Sequence, residues 1–354
     1  MRARFSTGPF EHEASVVGTH YERKRDFTFA FATAQLFESD LYDPVIKPRP
    51  DFSGVPLPRT IETRELDGVA ITDTVSILDG RIQVIGGARF QRARTNSAVM
   101  SPVTNSTTRT RYDETASTPL AGVVVKPLEN LSFYASYAEG FGFGPTPPAG
   151  ALPRSPIPPV RTKQIEAGAK LDLGSMGATL AVYEIKRPFA FLNTSTLVFG
   201  TNGEQRNRGI DFNVFGEPVP GLRVLGGVTF LDGELTKTAG GTFDGNIAPS
   251  VPRTQISIGG EIDLPKSLLP GVSLNGRVLY TGKQYLDQAN TQSIPDFARL
   301  DLGARYKFDA NGVPVTARLN VLNATGKNYW ASTGQGVLSL GTPRTFLLSL
   351  SADL

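Results

Sequence analysis

The 354-residue chain contains no cysteine, which removes disulfide scaffolds, thiolate catalysis and cysteine metal sites together. Only two histidines are present, His12 and His20, too few for a histidine-rich metal centre. No run of about 18 apolar residues occurs, so no membrane-spanning helix is encoded. Charge is sparse at 19%, below the usual ~25%. The 36 basic and 33 acidic residues leave a net +3, a balance that gives no argument for nucleic acid. Met1-Arg2-Ala3-Arg4 is basic, but Phe5-Ser6-Thr7-Gly8-Pro9 stands where the apolar part of a secretory signal belongs. The carboxylates form no acid/base pair at a defined spacing and no Ser/His/Asp set, so no enzyme is expected. What the chain does hold is Gly 37, Pro 26, Phe 21 and Tyr 10, and its aromatics and regular apolar period argue against disorder.

That period is two. Across 162–173 the apolar positions are Ile165, Ala167, Ala169, Leu171 and Leu173, alternating with Gln164, Glu166, Lys170 and Asp172. Ile256, Ile258, Ile262 and Leu264 alternate with Arg253, Gln255, Ser257 and Glu261 in the same way. So do Leu300, Leu302, Ala304, Tyr306 and Phe308 with Arg299, Asp301, Arg305 and Lys307. The last stretch sets Phe346, Leu348, Leu350, Ala352 and Leu354 against Ser349, Ser351 and Asp353. A helix would repeat apolar residues at i, i+3 and i+4, so these segments read as strands with one apolar and one polar face.

The connections alternate in length. Short turns fall at 78–80, 127–130, 174–177, 218–221 and 309–312, each with the Gly, Pro, Asn or Asp that tight turns require. Long connections fall at 26–60, 95–113, 141–159, 188–203, 237–250 and 326–342. Short turns on one rim and long loops on the other describe an all-β, up-and-down antiparallel barrel of the outer-membrane type. A propeller would show a repeat of ~40–50 residues, which is absent. A sandwich reproduces the alternation but not the unequal loops. About fifteen strands are expected: 2–8, 12–23, 62–77, 81–93, 114–126, 131–140, 160–173, 178–187, 204–217, 221–235, 251–263, 271–286, 294–308, 313–323 and 343–354. Bacterial single-chain barrels hold an even number, so the first strand's partner is expected upstream of Met1. Ile256, Leu302 and Leu348 should face lipid, and Arg253, Asp301 and Ser349 the lumen.

Six stretches in order resemble the C-terminal barrel of TonB-dependent siderophore receptors. They are Thr7-Gly8-Pro9-Phe10-Glu11-His12, Tyr134-Ala135-Ser136-Tyr137-Ala138-Glu139-Gly140-Phe141 and Lys163-Gln164-Ile165-Glu166-Ala167-Gly168. Arg208-Gly209-Ile210-Asp211-Phe212 follows, then Asn320-Val321-Leu322-Asn323 with Tyr329, and Gly341-Thr342-Pro343-Arg344-Thr345. The resemblance implies a 22-stranded barrel filled by an N-terminal plug, of which residues 1–354 are a part. The signal, TonB box, plug and about seven strands would lie outside it. It implies an outer-membrane importer of ferric siderophores in a Gram-negative bacterium, energised through TonB by the missing N-terminal part. Outer-membrane lipid and lipopolysaccharide are the expected surroundings. No cofactor of its own is implied, iron arriving only as the siderophore complex. The family usually ends in Phe or Trp, whereas this chain ends in Leu354. A passive porin or structural barrel is the competing class, and a soluble β-rich binding or carbohydrate-active protein a distant third.

Five outer-loop aromatics, Phe141, Phe143, Tyr285, Tyr329 and Trp330, are candidates to line a vestibule that grips a chelate. For any one of them taken singly, the interfacial aromatic girdle is the favoured reading. Gly140-Phe141-Gly142-Phe143-Gly144 imitates a phosphate loop, but Pro145, Pro147 and Pro148 forbid the helix such a loop must open. Arg253, Glu261, Arg299, Asp301, Arg305 and Lys307 are expected in a wet lumen or against a plug.

Overall fold

Residues 1–28, 40, 54, 56–148, 150–153, 157–334 and 337–353 are described by the computed structural model. Most of the 26–60 connection, and Leu354, lie outside them. In chain order the strands are β1 (Arg2–Thr7), β2 (Phe10–Thr28), β3 (Arg59–Ile77), β4 (Ile82–Ser101), β5 (Ser106–Leu128) and β6 (Leu131–Gly142). Then come β7 (Val160–Asp172), β8 (Met176–Asn193), β9 (Val198–Val219), β10 (Leu222–Lys237), β11 (Thr254–Asp263) and β12 (Val272–Thr281). After these lie β13 (Gln284–Tyr285), β14 (Ser293–Ile294), β15 (Phe297–Ala310), β16 (Val313–Leu322), β17 (Trp330–Gly334), β18 (Val337–Leu340) and β19 (Thr345–Ala352). A 3-10 turn at Ala239–Gly241 is the helical element among the described residues.

Fifteen of these strands form one sheet whose order is the chain order, β1 to β12, then β15, β16 and β19. Each neighbour pair is antiparallel, as in the β3–β4 ladder from Arg59↔Met100 to Ile77↔Ile82. β13–β14 and β17–β18 are separate two-stranded hairpins. One rim carries the tight turns 8–9, 78–81, 129–130, 173–175, 220–221 and 311–312, together with 264–271. Leu78, Asp79 and Gly80 all take positive φ in the first wide turn, a conformation that Asp and Gly adopt most readily. The opposite rim carries 143–159, 238–253, 282–296 and 323–344.

Two connections expected to be long are not. β4 runs on to Ser101 and β5 starts at Ser106, so 95–113 is almost entirely paired strand. Likewise β8 reaches Asn193 and β9 starts at Val198. Ser, Thr and Asn in these stretches satisfy a solvated ladder as well as a loop, so composition misplaced the boundary. The expected strand 271–286 also ends at Thr281, with Gln284–Tyr285 in its own hairpin. Arg253, expected on the polar face, precedes β11.

The register sorts residues into two faces. The row Val16↔Ile71↔Ala88 is followed by Gly18↔Val69↔Phe90 on one face. Ile210, Phe212, Phe230, Ile258, Val278, Leu302, Leu319 and Leu348 are exposed apolar side chains of the same kind, Phe230 at 55% and Leu302 at 45%. Only ten apolar residues are buried among those described. A sheet that turns its large apolar side chains outward is solvated by an apolar medium, not by its own core. Toward the long rim this face changes abruptly. The next row is His20↔Asp67↔Arg92, with His20 Nδ1 2.6 Å from Asp67, Arg94 2.6 Å from Asp67 and Arg92 2.8 Å from Asp113. A spanning strand needs about 9–11 residues. β4 with 20 and β5 with 23 therefore continue past the apolar band into water.

The other face is polar. Asp301, Arg299, Arg305 and Glu261 all lie on it, as expected, joined by Arg299–Asp301 at 2.8 Å and Arg305–Glu261 at 2.7 Å. Aromatics there lie flat over cross-strand glycines. A Cβ on Gly168 would sit 2.7 Å from the Tyr134 ring, and one on Gly209 2.4 Å from Tyr183.

Placing arginine on the apolar face costs about 2–4 kcal/mol at mid-bilayer. Leu302→Arg is therefore expected to cripple assembly into outer-membrane-type bilayers, while Ser349→Arg, on the polar face, is tolerated. Heat-modifiable gel mobility of the two variants checks this; equal folded fractions would reverse the face assignment.

Candidate functional site

Among the described residues, two anchors fix loops of the long rim. At the end of β16, Asn323 is fully buried and holds φ of 50°. Its backbone N–H donates to Asp301 Oδ1 at 2.8 Å. Its amide Nδ2 donates to the carbonyls of Lys327 and Thr342, at 2.8 and 3.0 Å, while Oδ1 accepts from Lys327 N at 2.9 Å. One side chain thus ties both ends of 323–344 to the sheet. Tyr329 completes the anchor. Its ring stacks on Phe297 with centroids 4.1 Å apart, and its hydroxyl accepts from Thr342 N and Arg299. Gly341 is required there, because a Cβ would lie 2.4 Å from the Tyr329 ring.

A second anchor joins 238–253 to 282–296. Asn290 Nδ2 donates to Ile247 O and its Oδ1 accepts from Ile247 N, at 2.8 and 2.9 Å. Asn246 donates to Gln288 O, and Ser250 N to Tyr285 O. Within 282–296, Asp287 accepts from Gln292 N, Thr291 N and Thr291 Oγ1. These donors hold the Asp287 carboxyl below its ordinary range, chiefly the Gln292 N–H and then the Thr291 hydroxyl.

The five sequence-derived aromatics fall into two groups. Phe141 and Phe143 meet at the end of β6, with centroids 6.4 Å apart. Phe141 is a strand residue paired with Arg161, whereas Phe143 lies just past β6 and turns to the polar face. There its ring is 5.8 Å from Tyr112 and 5.5 Å from the Arg64 guanidinium. Gly144 N donates to Tyr112 Oη at 3.1 Å, fixing the turn; the prolines after it indeed carry no helix. Tyr285 and Trp330 lie in the short hairpins, β13 beside β17. Both are half-buried, Tyr285 with the Lys283 ammonium 4.7 Å from its ring. Tyr329 is spent on packing and is 7% exposed.

Sequence reasoning passed over Tyr112, Arg23, Arg25 and Arg64. They lie in cross-strand rows, Arg23↔Arg64↔Thr95↔Tyr112 and Arg25↔Glu62, whose membership depends on register. Farther along the polar face Arg223 meets both Glu261 and Asp263, and Arg305 meets the same two carboxylates. On β6 to β9, Tyr134 donates to Glu166 at 2.5 Å and Gln164 to the same carboxylate at 3.0 Å.

The family described as TonB dependent receptor-like, beta-barrel matches residues 2–324. The Ferrichrome receptor FcuA of Yersinia enterocolitica is 34% identical over 369 residues, covering all of this chain and 47% of its own length. The Metal-pseudopaline receptor CntO of Pseudomonas aeruginosa is 26% identical, over 98% of this chain and 49% of the receptor. Among solved structures, BauA, the ferric preacinetobactin receptor of Acinetobacter baumannii, superposes with a TM-score of 0.82 at 34% identity. It covers 100% of this chain and 53% of that one. The chain thus spans about half the length of the curated relatives it matches.

Two expectations follow from the anchors. Asn323→Ala removes the three side-chain hydrogen bonds that hold Lys327 and Thr342, at about 0.5–1.5 kcal/mol each; limited proteolysis should then cut within 323–344. The order Asp287 contributes is present above the ordinary carboxylate range and lost as pH falls through its lowered value. Protection factors at 288–292, taken relative to the intrinsic exchange rate at each pH, are therefore expected to fall in acid, and Asp287→Asn to lower them at neutral pH. Protection unchanged by either would remove Asp287 as the organiser of this loop.

Proposed function

The chain belongs to the TonB-dependent receptor β-barrel family, and on that premise we propose that it forms the greater part of the barrel of an outer-membrane receptor that imports ferric siderophores with energy delivered through TonB. The family consists of outer-membrane β-barrels of receptor type, and the reading for this chain is transport, not catalysis. The observation that carries it is the family match over residues 2–324 on a sheet whose long rim is a fixed, aromatic-bearing surface.

A flat, partly apolar chelate suits rigid rings, which gain contact at little cost in rotamer freedom. We assign Phe143, Tyr285 and Trp330 to direct contact, Phe141 to supporting Phe143, and Tyr329 to positioning the loop that presents Trp330. No cofactor is needed, because iron travels as the substrate complex. The surrounding medium is outer-membrane lipid with lipopolysaccharide in its outer leaflet.

The topology bears on the parent protein. β1 and β19 both run toward the tight-turn rim, so an antiparallel closure between them is impossible, and no pairing joins them among the described residues. Closure takes an odd number of additional strands, which we place outside residues 1–354 together with a plug that receives TonB.

Uptake of radiolabelled ferric siderophore in a receptor-deleted strain tests the reading. The complete gene is expected to restore uptake only when TonB is present, and Phe143→Ala or Trp330→Ala to weaken binding by about 0.5–1.5 kcal/mol each. Uptake that persists without TonB would make the protein a passive pore. Expressed alone, the 354-residue segment is expected not to restore growth, since unpaired edges cost several kcal/mol per backbone group in hydrocarbon.

A further inference from the structure

On the polar face of β2 to β5, near the long rim, positive charge exceeds its partners. Arg23, Arg25 and Arg64 share three consecutive strand positions with Glu62, and Glu114 lies one row lower opposite Ala93. Glu62 is the shared counter-charge: Arg64 Nη2 donates to its Oε2 at 3.0 Å, while Arg64 Nε and Arg23 lie 2.9 and 3.6 Å from its Oε1 as ion pairs without hydrogen-bond geometry. Three guanidiniums offer five N–H donors each, far more than one carboxylate accepts. The Nε atoms of Arg23 and Arg64 are buried and lack a hydrogen-bond partner, while both side chains remain almost two-fifths exposed toward the polar space. Arg25 lies 4.6 Å over the Phe27 ring and has no acidic partner among the described residues. Around them stand Phe143 and Tyr112, 5.8 Å apart, with Arg64 over Phe143. Elsewhere on this face Arg223 and Arg305 have two carboxylates between them, and Arg299 has Asp301.

We propose, resting on the receptor reading above, that this patch selects an anionic ferric chelate bearing aryl groups: Arg23, Arg25 and Arg64 take its negative charge, and Phe143, held in place by the buried Tyr112, takes its rings. Three catecholates around ferric iron leave a net charge of minus three and turn aromatic edges outward. Three hydroxamates leave the complex neutral and without rings. Guanidinium planes both hydrogen-bond oxyanions and stack on aryl faces, so the two recognition elements work on one ligand at once.

Titration of the complete receptor in detergent with three probes tests this: a ferric triscatecholate, a neutral ferric trihydroxamate and ferric citrate, followed by fluorescence quenching. The triscatecholate is expected to bind at least tenfold more tightly than the trihydroxamate. Arg64→Ala and Arg23→Ala are expected to weaken it tenfold or more while moving the trihydroxamate less than twofold, and Arg64→Lys to recover most of the loss. A preference for the trihydroxamate, or equal losses for both chelates in Arg64→Ala, would overturn the charge assignment. Citrate binding as tight as triscatecholate would overturn the role of the rings. If none of the three binds, the receptor reading itself falls and takes this one with it.

Discussion

Every backbone N–H and C=O that enters hydrocarbon must find its partner within the protein, and the rest of this structure depends on that demand. An antiparallel sheet in strict chain order meets it with local pairings. Each strand bonds to the strand before and the strand after, from Arg2↔Ser15 at one end to Val315↔Ala352 at the other. Because the pairing is sequential, all turns fall on two rims, and the strands between them need only a period of two. One face is then free to be greasy and the other wet, which is the division seen between Phe230 and Leu302 on one side and Asp301 and Arg305 on the other.

The same continuity builds the functional rim. Strands such as β4 and β5 do not stop where the apolar band stops, and the row of His20, Asp67 and Arg92 marks the crossing into water. Beyond it the ladder still fixes geometry, so side chains near the rim, such as Arg64 and Tyr112, are held on strands and not on a wandering loop. Phe143 joins them because Tyr112 holds the backbone of Gly144. Loops that leave the ladder are recaptured by single amides, the buried Asn323 and the half-buried Asn290, each using donors and acceptor together.

That economy explains motifs that look functional in the sequence. Asn323, Tyr329, Gly341 and Thr342 meet in one anchor, with no surface left on Asn323 for a ligand. Gly168 and Gly209 lie beneath Tyr134 and Tyr183, so two further family stretches keep glycine for ring packing across strands. The proposed contact residues Phe143, Tyr285 and Trp330 belong to none of those stretches.

Sequence alone determined the strand period, the two faces, the number of strands in the sheet and the family, because each is a local or strictly sequential property. It located Phe141 and Phe143 together, since they are two residues apart. It misjudged 95–113 and 188–203, because Ser- and Thr-rich stretches suit a solvated ladder as well as a loop. Tertiary structure alone decided that Tyr329 is packing and Phe143 is not. It alone assembled Arg23, Arg64 and Tyr112, which are separated along the chain by 41 and 48 positions. Their meeting is set by register, and register is a property of paired strands that a single strand's alternation does not carry.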